Sequence, residues 1–168
     1  MPAISMYNAS IPAFIKMLNN LDAILDKAST WAQAKKIDEK YLMTSRIAPD
    51  MLPFTKQIQI ATDIVKGCAA RLAGADVPKY EDNESSFVEL KARVSKTIAF
   101  LETFTAQQID GSEDKSIELK FGPNSFHFKG LDYLLTFANP NLYFHVTTAY
   151  AILRHNGLEI GKKDFLGS

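Results

Sequence analysis

The chain has 168 residues, of which 46% are hydrophobic and 23% charged, as in ordinary globular proteins and unlike disordered chains. Its 19 basic and 19 acidic side chains leave no net charge at pH 7, which argues against nucleic-acid binding through a phosphate-neutralising surface. No apolar segment approaches the roughly 20 residues of a membrane span, and no signal peptide is expected at the amino terminus. The single cysteine, Cys68, excludes an internal disulfide and favours a cytoplasmic location.

Two long helices are predicted in the first half of the chain. Apolar side chains recur at three- and four-residue steps from Ser10, the expected cap, to residues 35–36. A further helical turn is expected in residues 38–45. The second long helix is expected to follow Asp50 as its cap and to end at Gly74.

Residues 75–84 contain Pro78 and several acidic side chains, a composition that indicates a surface connection. Two neighbouring helices of a bundle need fewer residues, so this segment is predicted to be a crossover between distant helices. The third long helix is predicted over residues 84–104. The acidic side chains lack the spacing of a calcium-binding loop and are expected to be solvated; they are Glu81, Asp82 and Glu84.

A β-hairpin is predicted after the third helix. Apolar and charged residues alternate in residues 116–121, followed by the turn sequence Gly-Pro-Asn-Ser and by residues 126–128. An isolated hairpin is marginal in water, so Phe126 and Phe128 are expected to pack against the helices. His127 lies between them and is expected on the solvated face.

The last helix is predicted over residues 131–156. Pro140 either kinks it or opens a new helix with Asn139 as its cap. The polar, Gly-rich segment after Gly157 is not expected to form a helix. Residues 1–168 are therefore predicted to form a single all-α domain, a four-helix bundle with a long crossover between helices 2 and 3 and a hairpin between helices 3 and 4.

Three polar side chains fall on the buried faces of two predicted helices. Gln57 lies in the middle of the apolar face of the second helix, whereas Gln59 lies on the opposite side. On the last helix His145 belongs to the apolar face, and Asn141 precedes it by one turn. If these helices are adjacent, Gln57, Asn141 and His145 converge inside the bundle, with His145 as the candidate catalytic residue.

A structural role is the simpler interpretation of each of these residues. A lone histidine on an apolar face is more often a hydrogen-bonded core residue than a ligand or a base, and buried amides are usually satisfied by their surroundings. Cys68, on an apolar face, is expected to behave as a small hydrophobic residue. His127 and His155, the latter in the last helical turn, are not expected to be catalytic.

The chain resembles the DinB/YfiT-like superfamily of four-helix proteins, and more closely a bacterial family within it known as a domain of unknown function. The resemblance is carried by RIAPDM at residues 46–51 together with Gln57, by FHVTTAYAILR at residues 144–154, and by GKKDFLG at residues 161–167. It extends over essentially the whole chain and implies a DinB-like bundle, with homodimers common among its members.

The resemblance also implies a position for a metal site. Metal-binding members hold a divalent ion with one histidine on the second helix and a His-x-x-x-His pair on the last. Here these positions are Gln57, Asn141 and His145. One imidazole and two neutral amides are a poor donor set for zinc or nickel, so the resemblance implies a degenerate site with at most a weakly bound ion.

Three functions follow from the sequence. The first is a small-molecule-binding bundle that retains the superfamily cavity without a strong metal site. The second is an enzyme, metal-assisted or metal-free, with His145 as base or ligand, and the resemblance implies metal-dependent thiol transferase or hydrolase chemistry for it. The third is a structural or interaction protein, expected to be a homodimer. Neither nucleic acid nor a membrane is expected as a partner.

Overall fold

The computed structural model of the chain describes residues 4–167, except for the side chain of Phe121. Four long helices form a bundle, and shorter elements cover its ends. No helix in this described part is long and apolar enough to cross a membrane. In chain order the elements are α1 (Ile11–Lys35), α2 (Glu39–Thr44), α3 (Phe54–Ala73), α4 (Phe87–Leu101), α5 (Ala106–Ile109), β1 (Ser116–Phe121), β2 (Asn124–Lys129), α6 (Gly130–Asp132), a π-helical segment (Tyr133–Ala138), α7 (Asn139–His155) and α8 (Lys162–Leu166).

The bundle places α1 against α4, α4 against α3, and α3 against α7. Phe54 and Phe87, the first residues of α3 and α4, have ring centroids 6.0 Å apart, so these two neighbouring helices run parallel. A parallel connection must return along the whole length of α3. The long crossover is therefore confirmed, but the expectation that it joins distant helices is wrong. The connection is long because α3 and α4 run in the same direction, not because they lie far apart.

The crossover is held on the bundle by ion pairs with Arg93 of α4, whose side chain is almost completely buried. Arg93 Nη1 lies 2.9 Å from Glu84 Oε1 and 3.1 Å from Asp82 Oδ1, and Nη2 lies 2.9 Å from Asp63 Oδ1. Lys56 also binds Asp82, at 2.8 Å. The acidic residues of the connection are thus not simply solvated, since two of them anchor it to α3 and α4.

The hairpin packs one face on the helices, as predicted for Phe128 but not for Phe126. Leu119 is buried opposite Phe126 in the antiparallel register, and Phe126 itself is 47% exposed. Phe128 lies with its ring centroid 5.6 Å from that of Phe137 in the π-helical segment. His127 is exposed on the outer face, as expected.

Ser10 occupies the predicted N-cap position of α1 without a side-chain capping bond, and Asp50 does not cap α3. Ser10 precedes α1, but its hydroxyl donates to the Met6 carbonyl, 2.6 Å away, instead of accepting from the helix. The helix α3 begins at Phe54, whose N–H donates to the Ser45 carbonyl at 2.8 Å. Since the end of α2 already satisfies this amide, Asp50 is left exposed in the preceding turn.

The last helical stretch continues through Pro140 without a new cap. Asn139 has helical dihedral angles (φ −60°, ψ −50°), so it does not cap a fresh helix. The turn before Pro140 is π-helical, over Tyr133–Ala138. Proline lacks an N–H, so the regular α-helical hydrogen bond from residue 140 back to the preceding turn cannot form. The π-helical segment lies in that preceding turn.

The segment after Gly157 contains a short helix, contrary to the expectation from its composition. α8 covers Lys162–Leu166 and packs on α1. The Gly161 N–H donates to Asp164 Oδ2 at 2.7 Å, and Asp164 also pairs with Lys27 of α1. Asp164, three positions after Gly161, is a capping signal that composition alone conceals.

Candidate functional site

Gln57 and His145 are brought together across the contact between α3 and α7. Both side chains are buried, and His145 Nδ1 lies 2.7 Å from Gln57 Oε1. Gln57 in turn donates from Nε2 to the Leu52 carbonyl, 2.8 Å away. This second bond identifies the amide oxygen as the atom facing the histidine, because only the nitrogen of the amide can donate to a carbonyl.

The Gln57 contact fixes the protonation of His145. An amide oxygen only accepts hydrogen bonds, so Nδ1 must carry the proton and donate it. In the neutral ring, Nε2 then holds a lone pair, and it has no hydrogen-bond partner among the described residues. Burial lowers the pKa of His145 below its ordinary value of 6.5, which favours this neutral form at pH 7.

Asn141 is not hydrogen-bonded to either of the other two predicted site residues in the described structure. Its Nδ2 donates to the Phe137 carbonyl at 2.7 Å, one turn earlier in the last helical stretch. That carbonyl lies in the π-helical turn before Pro140, where helix geometry changes. The structure therefore brings Gln57 and His145 together and gives the Asn141 amide a helix-stabilising contact.

The donor chemistry around His145 is poor in strong metal ligands. The described residues contain no group of three or more histidine, cysteine, aspartate or glutamate side chains arranged to hold a metal. His145 Nε2 is the one imidazole lone pair in the predicted set, and Gln57 Oε1 already accepts from Nδ1. Cys68 is fully buried, and burial raises the pKa of its thiol, so it is not a ready thiolate ligand.

An apolar surface groove lies along the outer side of α7, and it is lined by the neighbouring Phe144 but not by His145 itself. The ring of Phe144 packs edge-on against the imidazole, with centroids 5.2 Å apart, and is itself 56% exposed. The groove has a volume of about 480 Å³. It is lined by Ile47, Pro140, Tyr143, Phe144, Thr147, Thr148 and Ala151.

Several buried polar residues were not predicted from the sequence. Gln59, on the side of α3 opposite Gln57, is buried because the crossover covers it, and its Nε2 donates to Glu84 at 2.8 Å. Arg93 lies on the apolar face of α4, although it was not predicted to be buried. A second pair, Arg71 and Tyr133, meets near the other end of α3. Arg93 carried the same signal as Gln57 and His145, a polar residue on an apolar helix face, whereas Gln59 lies off the apolar face of its helix.

Comparisons with known proteins agree with this architecture. Residues 6–166 match the family model described as a domain of unknown function, DUF1993. A crystal structure of a DinB family member protein from Shewanella denitrificans is similar to this chain, with a TM-score of 0.87 and 40% sequence identity over 96% of this chain and 92% of that one. No curated protein matches at a significant level. The predicted DinB-like bundle is thus confirmed, and the chain belongs to the DUF1993 family.

Proposed function

We propose that this chain is a small-molecule-binding bundle in which His145 contacts the ligand. The observation that supports the proposal is the Gln57–His145 hydrogen bond, which orients the imidazole and leaves the Nε2 lone pair without a protein partner among the described residues. A neutral, oriented imidazole accepts a hydrogen bond from an N–H or O–H group. The ligand class is therefore a neutral molecule with one donor and an apolar body.

The surroundings of His145 support an apolar body for the ligand. Leu52 and Phe144, which lie next to the Gln57–His145 pair, are both about half exposed. Ligand sites combine mostly apolar walls with a small number of oriented polar groups. The exposed apolar side chains of Leu52 and Phe144 and the oriented lone pair of His145 fit that description.

The test uses phenol and indole as probes, since each has one donor and an aromatic body. NMR spectra of ¹⁵N-histidine-labelled protein are expected to show a saturable shift of His145 Nε2, and His145→Ala is expected to weaken binding roughly tenfold. His127→Ala, on the exposed hairpin face, is the matched control and should bind the probes like the parent protein. Equal binding by His145→Ala, or no saturable shift of Nε2, would overturn the proposal.

A metal-dependent enzyme is the second candidate, because His145 Nε2 could also bind a divalent ion. Asn141 and Gln57, the other predicted ligands, would have to leave their contacts with Phe137 and with His145 Nδ1 to join this ion, and zinc or nickel would be held weakly by such a set. Elemental analysis of untagged protein, before and after equilibration with each metal, tests this candidate. A near-stoichiometric ion that is lost in His145→Ala would support thiol-transferase or hydrolase chemistry, and no retained ion would contradict it.

A homodimer is a third candidate, favoured by exposed apolar side chains along the last helical stretch. Leu131, Leu135, Tyr143 and Phe144 are between 41% and 56% exposed. Sedimentation analysis of the parent protein and of Phe144→Asp would test it, since a charge at the centre of an apolar interface should convert a dimer to a monomer. A monomeric parent protein would contradict it. The cytoplasmic location expected from the single cysteine stays a prediction.

A further inference from the structure

Arg71 and Tyr133 form a second polar site, near the carboxyl-terminal end of α3 and away from Gln57 and His145. Arg71 Nη1 donates to the Tyr133 hydroxyl oxygen at 3.2 Å. Tyr133 is 1% exposed, and Arg71 is partly buried. No carboxylate of the described residues lies within ion-pair distance of Arg71. A partly buried guanidinium without a counter-ion is costly unless something else compensates its charge.

The sequence makes room for this arrangement at Gly67. Gly67 lies one turn before Arg71 in the middle of α3, where glycine is about 1 kcal/mol less favourable than alanine. A Cβ atom at position 67 would overlap Nη1 of Arg71. The glycine therefore lets the guanidinium fold back along its own helix and reach the Tyr133 hydroxyl.

A cavity of about 260 Å³ opens at this pair, between α3, β1 and the π-helical segment. Its walls are mostly apolar, and its polar groups are Arg71, Tyr133 and Asp63. π-helical turns are frequent at functional sites, and here the π-helical segment supplies two of the residues that line the cavity, Tyr133 and Phe137. The apolar walls are Ile60, Ile64, Leu119 and Phe137.

The charges around the cavity favour an anion. Asp63 Oδ1 pairs with Lys66 at 2.6 Å and with Arg93 at 2.9 Å, so two cations other than Arg71 offset the charge of this carboxylate. On its other side Arg71 lines a surface cavity together with Lys66 and Lys79. The cations near Arg71 thus outnumber the carboxylates, and most N–H groups of Arg71 remain without a partner in the described structure.

Tyr133 adds a second donor to the same wall. Burial raises the pKa of its hydroxyl to about 12, so the group is protonated at neutral pH. Its oxygen accepts from Arg71, and its O–H donates to no acceptor among the described residues. Two side chains that keep unused donor hydrogen atoms in the described structure therefore line the same mostly apolar cavity.

We propose that this cavity binds a small organic carboxylate with an apolar body, held by a charge-assisted hydrogen bond from Arg71 and a second one from Tyr133. The apolar part of the molecule would lie against Phe137, Ile64 and Leu119. The site is distinct from the one assigned to His145, and its test does not depend on that proposal. Arg71 and Tyr133 would both be binding residues, and Gly67 a residue that positions Arg71.

The test compares phenylacetate with phenylacetamide on the wild-type protein. The two molecules share their size and aromatic body and differ in charge, so calorimetry and NMR shift changes at Phe137 and Leu119 isolate the role of the carboxylate. Phenylacetate is expected to bind at least roughly tenfold more tightly, as charge-assisted hydrogen bonds to arginine require. Equal affinities, or no saturable binding of phenylacetate up to about 10 mM, would overturn the proposal.

Variants then assign the binding to this cavity. Arg71→Met removes the charge at similar length and should abolish the preference for phenylacetate over the amide, whereas Arg154→Met, on the exposed last turn of α7, should preserve it. Tyr133→Phe keeps the ring and should weaken phenylacetate binding several-fold even if Arg71→Met does not fold. Unchanged phenylacetate binding in a folded Arg71→Met or in Tyr133→Phe would overturn the assignment.

Discussion

His145 and Gln57, 88 positions apart in the chain, are joined by a 2.7 Å contact in which the imidazole donates to the amide oxygen. The amide is itself held by its bond to the Leu52 carbonyl. This chain of two bonds determines which ring nitrogen carries the proton, and it leaves the other nitrogen as an acceptor. The pair is therefore the part of the bundle where a small change in sequence should alter proton affinity most directly.

Gln57→Glu is expected to raise the pKa of His145. The substitution places a carboxylate beside Nδ1 in a buried contact, and an opposite charge at that distance stabilises the imidazolium. In the parent protein, burial lowers the pKa of His145, and the added carboxylate should raise it above the parent value. NMR titration of the histidine ring signals measures the shift.

His145→Gln assigns the signal in that titration, because it removes one of the three histidine resonances. Gln57→Leu is the neutral comparison, since it deletes the acceptor without adding a charge. A pKa of His145 that is the same in the parent protein and in Gln57→Glu would contradict the hydrogen bond between the two residues.

The stability of the fold should depend on pH through His145. In the unfolded chain His145 takes up a proton near pH 6.5, whereas in the folded chain it does so only at a lower pH. Between these two values the unfolded state binds more protons, so the free energy of unfolding rises with pH across this interval and levels off above it. Stability is accordingly lost as the pH falls below 6.5, until the folded pKa is reached.

Urea denaturation between about pH 5 and pH 7.5 measures this dependence. The contribution of His145 is the difference between the parent protein and His145→Gln, because the carboxylates titrate in the same way in both. His127→Gln, on the exposed hairpin face, is the control for the loss of a histidine as such. If His145→Gln left the pH dependence of the free energy of unfolding unchanged, His145 would have to bind its proton equally well in the folded and unfolded chains.

The residues that meet at the candidate site were predictable only where they lie on an apolar face. Gln57 and His145 interrupt the apolar faces of two helices, and antiparallel packing of α3 on α7 brings them together. Asn141 shares a helix face with His145, but its amide satisfies the Phe137 carbonyl, a contact that depends on the π-helical turn. The bonds of an amide depend on backbone geometry that helix periodicity does not encode.

The ion pairs that hold the crossover on the bundle are the largest feature that the sequence did not reveal. Periodicity places Gln59 on the solvent side of α3, and only the returning chain buries it. Likewise Arg93 occupies an apolar face of α4 because Glu84 and Asp63 reach it from two other segments. Pairing between segments far apart in the chain needs the tertiary path, which composition does not give.

Arg93→Met should destabilise the fold by about 3 kcal/mol. The substitution leaves the largely buried Glu84 without its cation, and breaking a buried pair from one side is costly. The Asp63 and Asp82 carboxylates are partly exposed, so water compensates the loss of their bonds. The free energy of unfolding in urea is the measurement.

Lys91→Met is the matched control, because Lys91 lies two residues earlier on the same helix and pairs with Asp26 and Asp22, whose side chains are both partly exposed. Exposed pairs of this kind contribute roughly 1 kcal/mol or less. Similar losses in Arg93→Met and Lys91→Met would mean that the crossover ion pairs contribute no more than surface pairs.

Two buried glycines should respond differently to alanine, because their neighbours differ in freedom. A Cβ at Gly130, where β2 passes into α6, would overlap the Ser112 carbonyl oxygen, which is backbone and cannot move aside. Gly130→Ala should therefore cost about 1–3 kcal/mol. At Gly67 the overlapping atom is the end of the flexible Arg71 side chain, and alanine favours the helix by roughly 1 kcal/mol, so Gly67→Ala should preserve or raise stability. Thermal and urea unfolding of both variants measure the contrast, and an equal loss in both would contradict it.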